Sequence, residues 1–203
     1  MAYRLFIREF FRSFGVTASL LPSSRFLAAA MLDPVDFRHP RVIVELGPGT
    51  GVMTKEILRR MTPDSRLFAF EVNPHFIRHL RAQCPDPRLT ILHADACDLV
   101  DHLRAHDVGA LNAVISSLGL TSMPHGIRTR IVQQAESCLA PDGVLTQFQY
   151  LTSRRPLPQI PGLRITPFRE KQFLHSYFPT ITTRRVLLNF PPAVVFTCHK
   201  TAC

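Results

Sequence analysis

The segment E-L-G-P-G-T-G, residues 45–51, has the composition of a turn that binds a ligand through its backbone. Glycines at this spacing allow a sharp turn and a close approach of the backbone to a ligand, because they have no Cβ. The β-branched run at 41–46 predicts a strand, and residues 52–61 predict a helix whose first N–H groups are free. Glu71 follows Gly51 by 20 residues and ends the next predicted strand, where a carboxylate can accept hydrogen bonds from ribose hydroxyls. This arrangement indicates a ligand that contains a nucleoside.

Two details of the segment distinguish between nucleoside cofactors. In a dinucleotide-binding fingerprint the third glycine lies three residues after the second, whereas Gly51 lies two residues after Gly49. A carboxylate at Glu45 would repel a pyrophosphate, but it could accept hydrogen bonds from the ammonium group of an amino acid. Both details favour S-adenosylmethionine over NAD.

With two later motifs, the segment resembles the class I S-adenosylmethionine-dependent methyltransferases. E-L-G-P-G-T-G looks like their first motif, F-E-V-N-P at 70–74 their second and H-A-D-A at 93–96 their third, so the resemblance covers about residues 41–150. It implies S-adenosylmethionine as cofactor, with the glycines under it, Glu71 at the ribose, Asp95 with Ala96 beside the adenine and Ser116 near the methionine moiety. The full set of cofactor contacts expected from it is Glu45, Gly47, Gly49, Gly51, Glu71, Val72, Asp95, Ala96 and Ser116.

The hydrophobic pattern agrees with such an α/β chain. Apolar runs of strand length alternate with helical stretches, and the resemblance implies a Rossmann-like, mostly parallel seven-stranded sheet with a C-terminal antiparallel hairpin. Strands are predicted at residues 41–46, 66–72, 89–93, 111–116, 144–150, 184–189 and 193–199, and helices at 52–61, 74–83, 99–105, 127–139 and 171–177. Two units are expected, an N-terminal amphipathic helix and lid at 1–40 and the methyltransferase domain at 41–203.

The chain is strongly basic, with 24 lysine and arginine residues against 15 acidic ones and a net charge of +9. Its hydrophobic fraction of 46% excludes a disordered chain, and no apolar run approaches the roughly 20 residues of a membrane span. The basic balance therefore predicts an anionic partner, either nucleic acid or a membrane surface. Composition does not choose between them.

A nucleic-acid substrate is the first alternative, because similar motifs occur in ribosomal RNA adenine dimethyltransferases. Those enzymes carry an Asn/Asp-Leu-Pro-aromatic tetrad after the fourth strand, where the aromatic ring stacks on an extruded base. Here residues 116–124 are S-S-L-G-L-T-S-M-P, with no aromatic residue. The segment argues against a nucleobase as the methyl acceptor.

A membrane surface is the second alternative, and it starts from the helix predicted at residues 2–14. This helix has an aromatic face beside an arginine stripe, which suits aromatic rings at the acyl boundary and arginine on anionic headgroups; an ordinary helix packed on the domain would show a similar pattern. Residues 151–200 add eight cationic residues against one acidic residue. We therefore expect a cytoplasmic protein bound peripherally to the membrane through Arg4, Phe6, Ile7, Arg8, Phe10, Phe11, Arg12 and Phe14.

Nearly the whole chain resembles the bacterial phospholipid N-methyltransferases, which convert phosphatidylethanolamine stepwise towards phosphatidylcholine. The resemblance is carried by the amphipathic N-terminal helix, P-S-S-R-F-L-A at 22–28, the glycine segment, S-S-L-G-L at 116–120, Q-F-Q-Y at 147–150 and N-F-P-P-A at 189–193. It implies that the acceptor is the amine of a phospholipid headgroup. The chain departs from the family at Gly119, where Leu-Pro is more usual than Leu118-Gly119.

Methyl transfer to an amine needs alignment, a surface for a cationic nitrogen and a way to remove a proton. An aromatic ring can stabilise the cation and a tyrosine hydroxyl can orient the amine, which makes Tyr150, at the predicted end of strand five, the first catalytic candidate and Tyr177 the second. His125 is a candidate for accepting the amine proton. Arginine suits the lipid phosphate, and its candidates are Arg25, Arg154, Arg155 and Arg185. No His, Cys, Asp or Glu cluster has metal-ligand spacing, and the chemistry requires no metal.

Overall fold

The fold is built on a seven-stranded sheet with the order β3-β2-β1-β4-β5-β7-β6. The structure is a computed structural model, which describes residues 25–39, 41–151 and 169–200. The strands are β1 (Val42–Leu46), β2 (Arg66–Glu71), β3 (Leu89–His93), β4 (Leu111–Ser116), β5 (Leu139–Tyr150), β6 (Thr180–Val186) and β7 (Ala193–His199). The helices are α1 (Arg25–Leu32), α2 (Val52–Arg60), α3 (Pro74–Gln83), α4 (Leu99–Ala105), α5 (His125–Cys138) and α6 (Glu170–Leu174).

Strands β1 to β5 are parallel, and this half of the sheet carries the predicted cofactor motifs. The pairings of β1 with β2 and with β4 place Leu46 beside Phe70 and Ser116, so the carboxyl ends of these strands lie at one edge. Strand β7 is antiparallel to both β5 and β6. The expected mostly parallel α/β sheet with a C-terminal antiparallel hairpin is confirmed.

Most predicted boundaries agree with the structure to within one or two residues, but two strands differ. β5 begins at Leu139 rather than at residue 144, because Leu139 pairs with Leu111 before a register shift. β6 runs over Thr180–Val186 rather than 184–189. The reason is that Asn189 closes the turn, with its Nδ2 donating to the carbonyl of Pro191 at 2.7 Å. The helix predicted at 171–177 is the shorter α6.

Two hydrophobic clusters cover the two faces of the sheet, as the alternation along β1 shows. Val44 and Leu46 belong to the first cluster, and Ile43 belongs to the second. Helix α1 packs in the second cluster, where Leu27 and Met31 have no exposed surface. Residues 25–32 of the predicted N-terminal unit therefore share the core of the domain, while the helix predicted at 2–14 lies outside the described residues.

Ion pairs join α1 to the rest of the domain. Asp33 lies just beyond the end of α1 and accepts hydrogen bonds from Arg184 of β6 at 2.7 Å and from Arg60 of α2 at 3.3 Å. These groups are partly exposed, so the pairs contribute little to stability by themselves. They link the end of α1 to α2 and to the edge strand β6.

A search of the described residues finds no helix with the length and apolar character that a membrane crossing requires.

Candidate functional site

The glycine segment forms the turn between β1 and α2, and three of its residues have the left-handed backbone that favours glycine. The φ angles are +73° at Gly47, +55° at Gly49 and +81° at Gly51. A Cβ on Gly47 would lie 2.8 Å from Leu118, and one on Gly51 would lie 2.7 Å from Leu80. A Cβ on Gly49 would meet no atom within 4 Å, so this part of the turn is open to a ligand. The turn is therefore a backbone cradle beside open space.

Glu71 ties this turn to the next one along the sheet. Its Oε2 accepts a hydrogen bond from the N–H of Gly49 at 3.1 Å, and its Oε1 accepts one from the N–H of Asn73 at 2.8 Å. The side chain is 3% exposed. Burial raises the pKa of Glu71, and the backbone hydrogen bonds oppose that shift. Each carboxylate oxygen has a further lone pair, so Glu71 can brace the turn and still accept a bond from a ribose hydroxyl.

Glu45 lies beneath the glycine turn with no exposed surface. Its Oε2 accepts a hydrogen bond from the hydroxyl of Thr54 on α2 at 2.7 Å, and its Oε1 has no partner among the described residues. Burial raises the pKa of Glu45 to about 8. The side chain is thus protonated at neutral pH, and its Oε1 is a buried polar atom with unused hydrogen-bonding capacity. The sequence pattern does not single out Thr54, although it lies nine residues after Glu45 on the helix that follows the turn.

A narrow cleft at the carboxyl ends of β2, β3 and β4 adjoins Glu71. It is lined by Gly47, Phe70, Glu71, Val72, Ala94, Asp95, Ala96, Leu118, Met123 and Ile131. Asp95 caps the turn that follows it, because its Oδ1 accepts a hydrogen bond from the N–H of Cys97 at 2.9 Å. The cleft is apolar and adjoins a buried carboxylate and a glycine turn, which are the groups that an adenosine group would require. The residues present therefore fit S-adenosylmethionine.

The segment after β4 is held against the glycine turn. Ser116, 2% exposed, ends β4, and its hydroxyl accepts a hydrogen bond from the N–H of Leu118 at 3.4 Å. The amide Nε2 of Gln147 on β5 donates to the carbonyl of Leu118 at 2.8 Å. The Leu118 side chain packs against Gly47, where it fills the space that a Cβ would need. Gln147 and Leu118 belong to motifs of the lipid methyltransferase resemblance, but the sequence assigns them no role.

The two candidate tyrosines lie on opposite faces of the sheet. Tyr150 ends β5 in the second hydrophobic cluster, with its ring 5.2 Å from that of Phe148, and burial raises its pKa. Tyr177 packs in the first cluster, with its ring 5.4 Å from that of Phe173. Tyr177 also comes shortly before β6. The start of β6 pairs with the end of β7, and this end of the sheet is opposite to the glycine turn. The structure therefore does not bring the two tyrosines together.

Of the remaining candidates, three are exposed and the others lie outside the described residues. Arg25 begins α1, exposed, with its guanidinium 4.9 Å from the ring centre of Phe26. Arg185 is exposed on β6, one residue before the hairpin's last strand pair. His125 begins α5, exposed, 6.3 Å from the ring of Phe173. Outside the described residues lie Arg154, Arg155 and the membrane candidates Arg4, Phe6, Ile7, Arg8, Phe10, Phe11, Arg12 and Phe14.

Comparison with known proteins identifies the family. Residues 43–143 match the family model described as "Methyltransferase domain". The fold is also similar to that of 1,6-didemethyltoxoflavin-N1-methyltransferase from Burkholderia thailandensis, solved with S-adenosylhomocysteine, with a TM-score of 0.68, 17% identity and coverage of 98% of this chain and 89% of that one. The chain is a class I S-adenosylmethionine-dependent methyltransferase.

A human protein has a similar fold. Methyltransferase-like protein 13, solved in complex with S-adenosylhomocysteine, matches with a TM-score of 0.59 and 17% identity. The similarity covers 85% of this chain and 79% of that chain.

Curated relatives differ in how much of the methyltransferase they cover. The ornithine lipid N-methyltransferase of Singulisphaera acidiphila is 29% identical over 196 residues, which are 96% of this chain and 94% of that protein. Ribosomal RNA small subunit methyltransferase A of Laribacter hongkongensis is 31% identical over 107 residues, which are 53% of this chain and 37% of that protein. Similarity to the ribosomal RNA enzyme is therefore limited to about half of the chain.

Proposed function

We propose that this methyltransferase transfers a methyl group from S-adenosylmethionine to the amine of a membrane lipid headgroup, with phosphatidylethanolamine as the substrate, stepwise towards phosphatidylcholine. The observation that carries the proposal is the extent of the similarity to the ornithine lipid enzyme. That similarity covers nearly all of both chains, well beyond the methyltransferase domain at 43–143. Because a shared fold does not by itself imply a shared substrate, similarity that continues beyond the domain supports the lipid acceptor.

In the cofactor part of the site, each residue is assigned a contact with a different part of the cofactor. S-adenosylmethionine supplies an electrophilic methyl group on a sulfonium. The glycine turn would present its backbone to the ligand, and Glu71 would accept from the ribose. Glu45, after losing the proton that it holds in the empty site, would accept through Oε1 from the ammonium of the methionine moiety. Ordering the cofactor in this way contributes to catalysis by alignment, since the reaction is an in-line displacement by an amine.

Tyr150 is the group we assign to the acceptor amine. It lies at the carboxyl end of β5, and ligands of open α/β sheets bind at that edge. Burial raises the pKa of its hydroxyl, so the side chain stays a neutral phenol that orients the amine and offers its ring to the cation that forms. Proton removal precedes attack, because an ammonium has no lone pair. His125 is the candidate acceptor for that proton, and its ring lies by Phe173 of the first cluster, on the face opposite to Tyr150, so the proton would reach it through water.

The lipid's anionic group is assigned to arginine, with Arg25, Arg154, Arg155 and Arg185 as the candidates. Arg25 and Arg185 are both exposed, which suits a headgroup that arrives from the membrane.

We further propose that the segment at 2–14 binds anionic lipid at the cytoplasmic face of the membrane and controls access to the site. A chain lacking residues 1–14 that still binds anionic vesicles and methylates lipid normally would overturn this part.

Ornithine lipid is the second candidate substrate, because the relative with nearly full coverage is named for it. Its headgroup also presents a primary amine, so the same site chemistry applies. A ribosomal RNA adenine is the alternative outside the lipids. Residues 117–124 after β4 contain no aromatic ring to stack on a base, and Leu118 is held against the glycine turn by Gln147.

The test is incubation of the purified protein with radiolabelled S-adenosylmethionine and either mixed bacterial lipids or ribosomal RNA, followed by separation of the fractions. Label in the aminolipids supports the proposal, and chromatography of the lipids distinguishes phosphatidylethanolamine from ornithine lipid products. Label in the RNA with none in lipid would overturn it.

A further inference from the structure

The loop that joins β6 to β7, residues 187–192, is the most exposed apolar part of the described chain. Leu187 is 67% exposed, Leu188 72% and Phe190 78%. Among the described residues these are three of the four large hydrophobic side chains that are exposed, and the fourth, Phe26, is 39% exposed. Single exposed apolar residues need no explanation, but a cluster of three marks an interaction surface.

The loop lies at the same edge of the sheet as the cofactor cradle. Tyr150 pairs with Ala193 across β5 and β7, whereas the end of β4 at Ser116 pairs with Gln147. Three further residues of β5 therefore extend beyond the end of β4, or about 10 Å at the rise of a strand. The loop continues from there, so it projects past the glycine turn on the side of Tyr150.

Internal contacts hold the loop in this projecting form. Asn189 is 3% exposed, and its Nδ2 donates to the carbonyl of Pro191 at 2.7 Å. The N–H of Leu151 donates to the carbonyl of Pro192 at 2.8 Å, which joins the loop to the end of β5. With Asn189 turned inward, the apolar neighbours on either side of it face outward.

Cationic residues at the end of β6 precede the apolar side chains of the loop. Arg185 is exposed two residues before Leu187 and forms no ion pair with other described residues. Arg184 is exposed beside it and pairs with Asp33. Apolar side chains at the end of the hairpin, with arginines two to three residues before them in β6, match the layers of a bilayer, in which the acyl boundary lies beneath anionic headgroups. A protein partner would not require this order of apolar and cationic groups.

We propose that the β6–β7 loop inserts Leu187, Leu188 and Phe190 into a lipid bilayer and so docks the mouth of the site on the membrane. The inference rests on the proposed function, because a lipid substrate gives the site a reason to face a bilayer. It adds an attachment point that is separate from the N-terminal helix. A headgroup next to the inserted loop would lie beside Tyr150.

The absence of tryptophan from the chain gives a direct test. Leu188→Trp introduces a single fluorophore into the loop, and Thr180→Trp places one at an exposed position at the opposite end of β6. On mixing with vesicles of equal parts phosphatidylglycerol and phosphatidylcholine, we expect a blue shift and quenching by brominated acyl chains for Leu188→Trp. We expect neither for Thr180→Trp. Equal behaviour of the two variants would overturn the proposal.

Sedimentation with the same vesicles measures the energetic contribution of the loop. Replacing Leu187, Leu188 and Phe190 together with serine should weaken binding by at least about tenfold, since each side chain loses its apolar burial. Replacing the same three with methionine keeps their apolar character and should preserve binding. Binding of S-adenosylhomocysteine checks that both variants are folded. Serine and methionine variants that bind vesicles equally well would contradict insertion.

Two further outcomes separate this inference from the proposed function. A blue shift in a protein that methylates no aminolipid, even one dispersed in detergent, leaves the docking loop standing and overturns the substrate assignment. Normal lipid methylation without a blue shift overturns the loop. A shift that depends on protein concentration and not on lipid assigns the loop to a second copy of the chain, which also overturns it.

Discussion

The carboxylate of Glu71 accepts a hydrogen bond from the backbone N–H of Gly49 across 3.1 Å, which joins the ends of two neighbouring parallel strands. The second oxygen of the same carboxylate binds the N–H of Asn73 at the start of α3. One buried side chain thus joins the glycine turn to the turn before α3. The residue that we expect at the ribose therefore also holds the glycine turn in place.

Glu71→Gln should weaken binding of S-adenosylhomocysteine by about tenfold to a hundredfold, because a charge-assisted hydrogen bond contributes roughly 1.5–3 kcal/mol. Isothermal titration calorimetry measures the change. Glu56→Gln on α2 is the matched control, since Glu56 binds the arginines of its own helix. An affinity that Glu71→Gln leaves unchanged would remove Glu71 from the ribose site.

Gly47→Ala should impair both stability and cofactor binding. The φ of +73° is strained for alanine, and the new Cβ would lie 2.8 Å from Leu118. The backbone conformation alone is expected to cost about 1–3 kcal/mol. Thermal unfolding and S-adenosylhomocysteine titration measure the two effects. Gly109→Ala, where no atom lies within 4 Å of the added Cβ, should change neither, and an equal response from both variants would contradict the steric account.

Glu45 should make stability fall as pH rises from about 5 to about 8. Burial raises its pKa to about 8 in the folded protein, whereas an unfolded glutamate titrates near 4.3. Between these values the folded state holds a proton that the unfolded state has released, so the free energy of unfolding decreases with pH, by at most about 1.4 kcal/mol per pH unit. Urea unfolding at several pH values measures the slope. Glu45→Gln should reduce it, and an identical slope in both proteins would show that Glu45 is not the titrating group.

Binding of S-adenosylhomocysteine near neutral pH should release a proton from Glu45. The ligand's ammonium favours the ionised carboxylate, which lowers the pKa that burial has raised. Calorimetry in buffers of different ionisation enthalpy counts the protons. Glu45→Gln should abolish the release. A wild-type protein that binds the ligand without releasing protons would place the ammonium away from Glu45.

Tyr150→Ala should lose most of the methyl transfer activity, and Tyr150→Phe should keep part of it, because phenylalanine retains the ring but not the hydroxyl. Neither change should weaken S-adenosylhomocysteine binding much, since Tyr150 lies beyond the cofactor cleft. Tyr177→Phe is the comparison on the opposite face of the sheet. Full activity of Tyr150→Ala would contradict the assignment. A larger loss of activity from Tyr177→Phe than from Tyr150→Phe would assign the acceptor amine to Tyr177 instead.

Local signals in the sequence are sufficient for the parallel half of the sheet and for the cofactor motifs. Asn73 is of a residue type that caps helices, and its side chain accepts the N–H of His75 at 2.9 Å at the start of α3. The sequence also predicts the glycine segment at the end of the first strand, where the segment lies. These predictions succeed because turn glycines, caps and buried parallel strands depend on neighbouring residues.

Contacts between residues that are distant in the chain could not be predicted from the sequence. The contact of Leu118 with Gly47 and the hydrogen bond from Gln147 to Leu118 join residues that are far apart in the chain. The pattern extends a strand through Asn189, because the apolar pair Leu187 and Leu188 continues the β-branched run of β6, whereas the structure has a turn there. The exposure of this pair is visible only in the folded hairpin.

The most direct test of the account is the transfer of a labelled methyl group to purified phosphatidylethanolamine in mixed micelles, with the products identified by mass. The account predicts methylated phosphatidylethanolamine in the wild-type reaction and a severe loss of it with Tyr150→Ala. Absence of any methylated lipid, from a protein that binds S-adenosylhomocysteine and methylates ribosomal RNA, would contradict it.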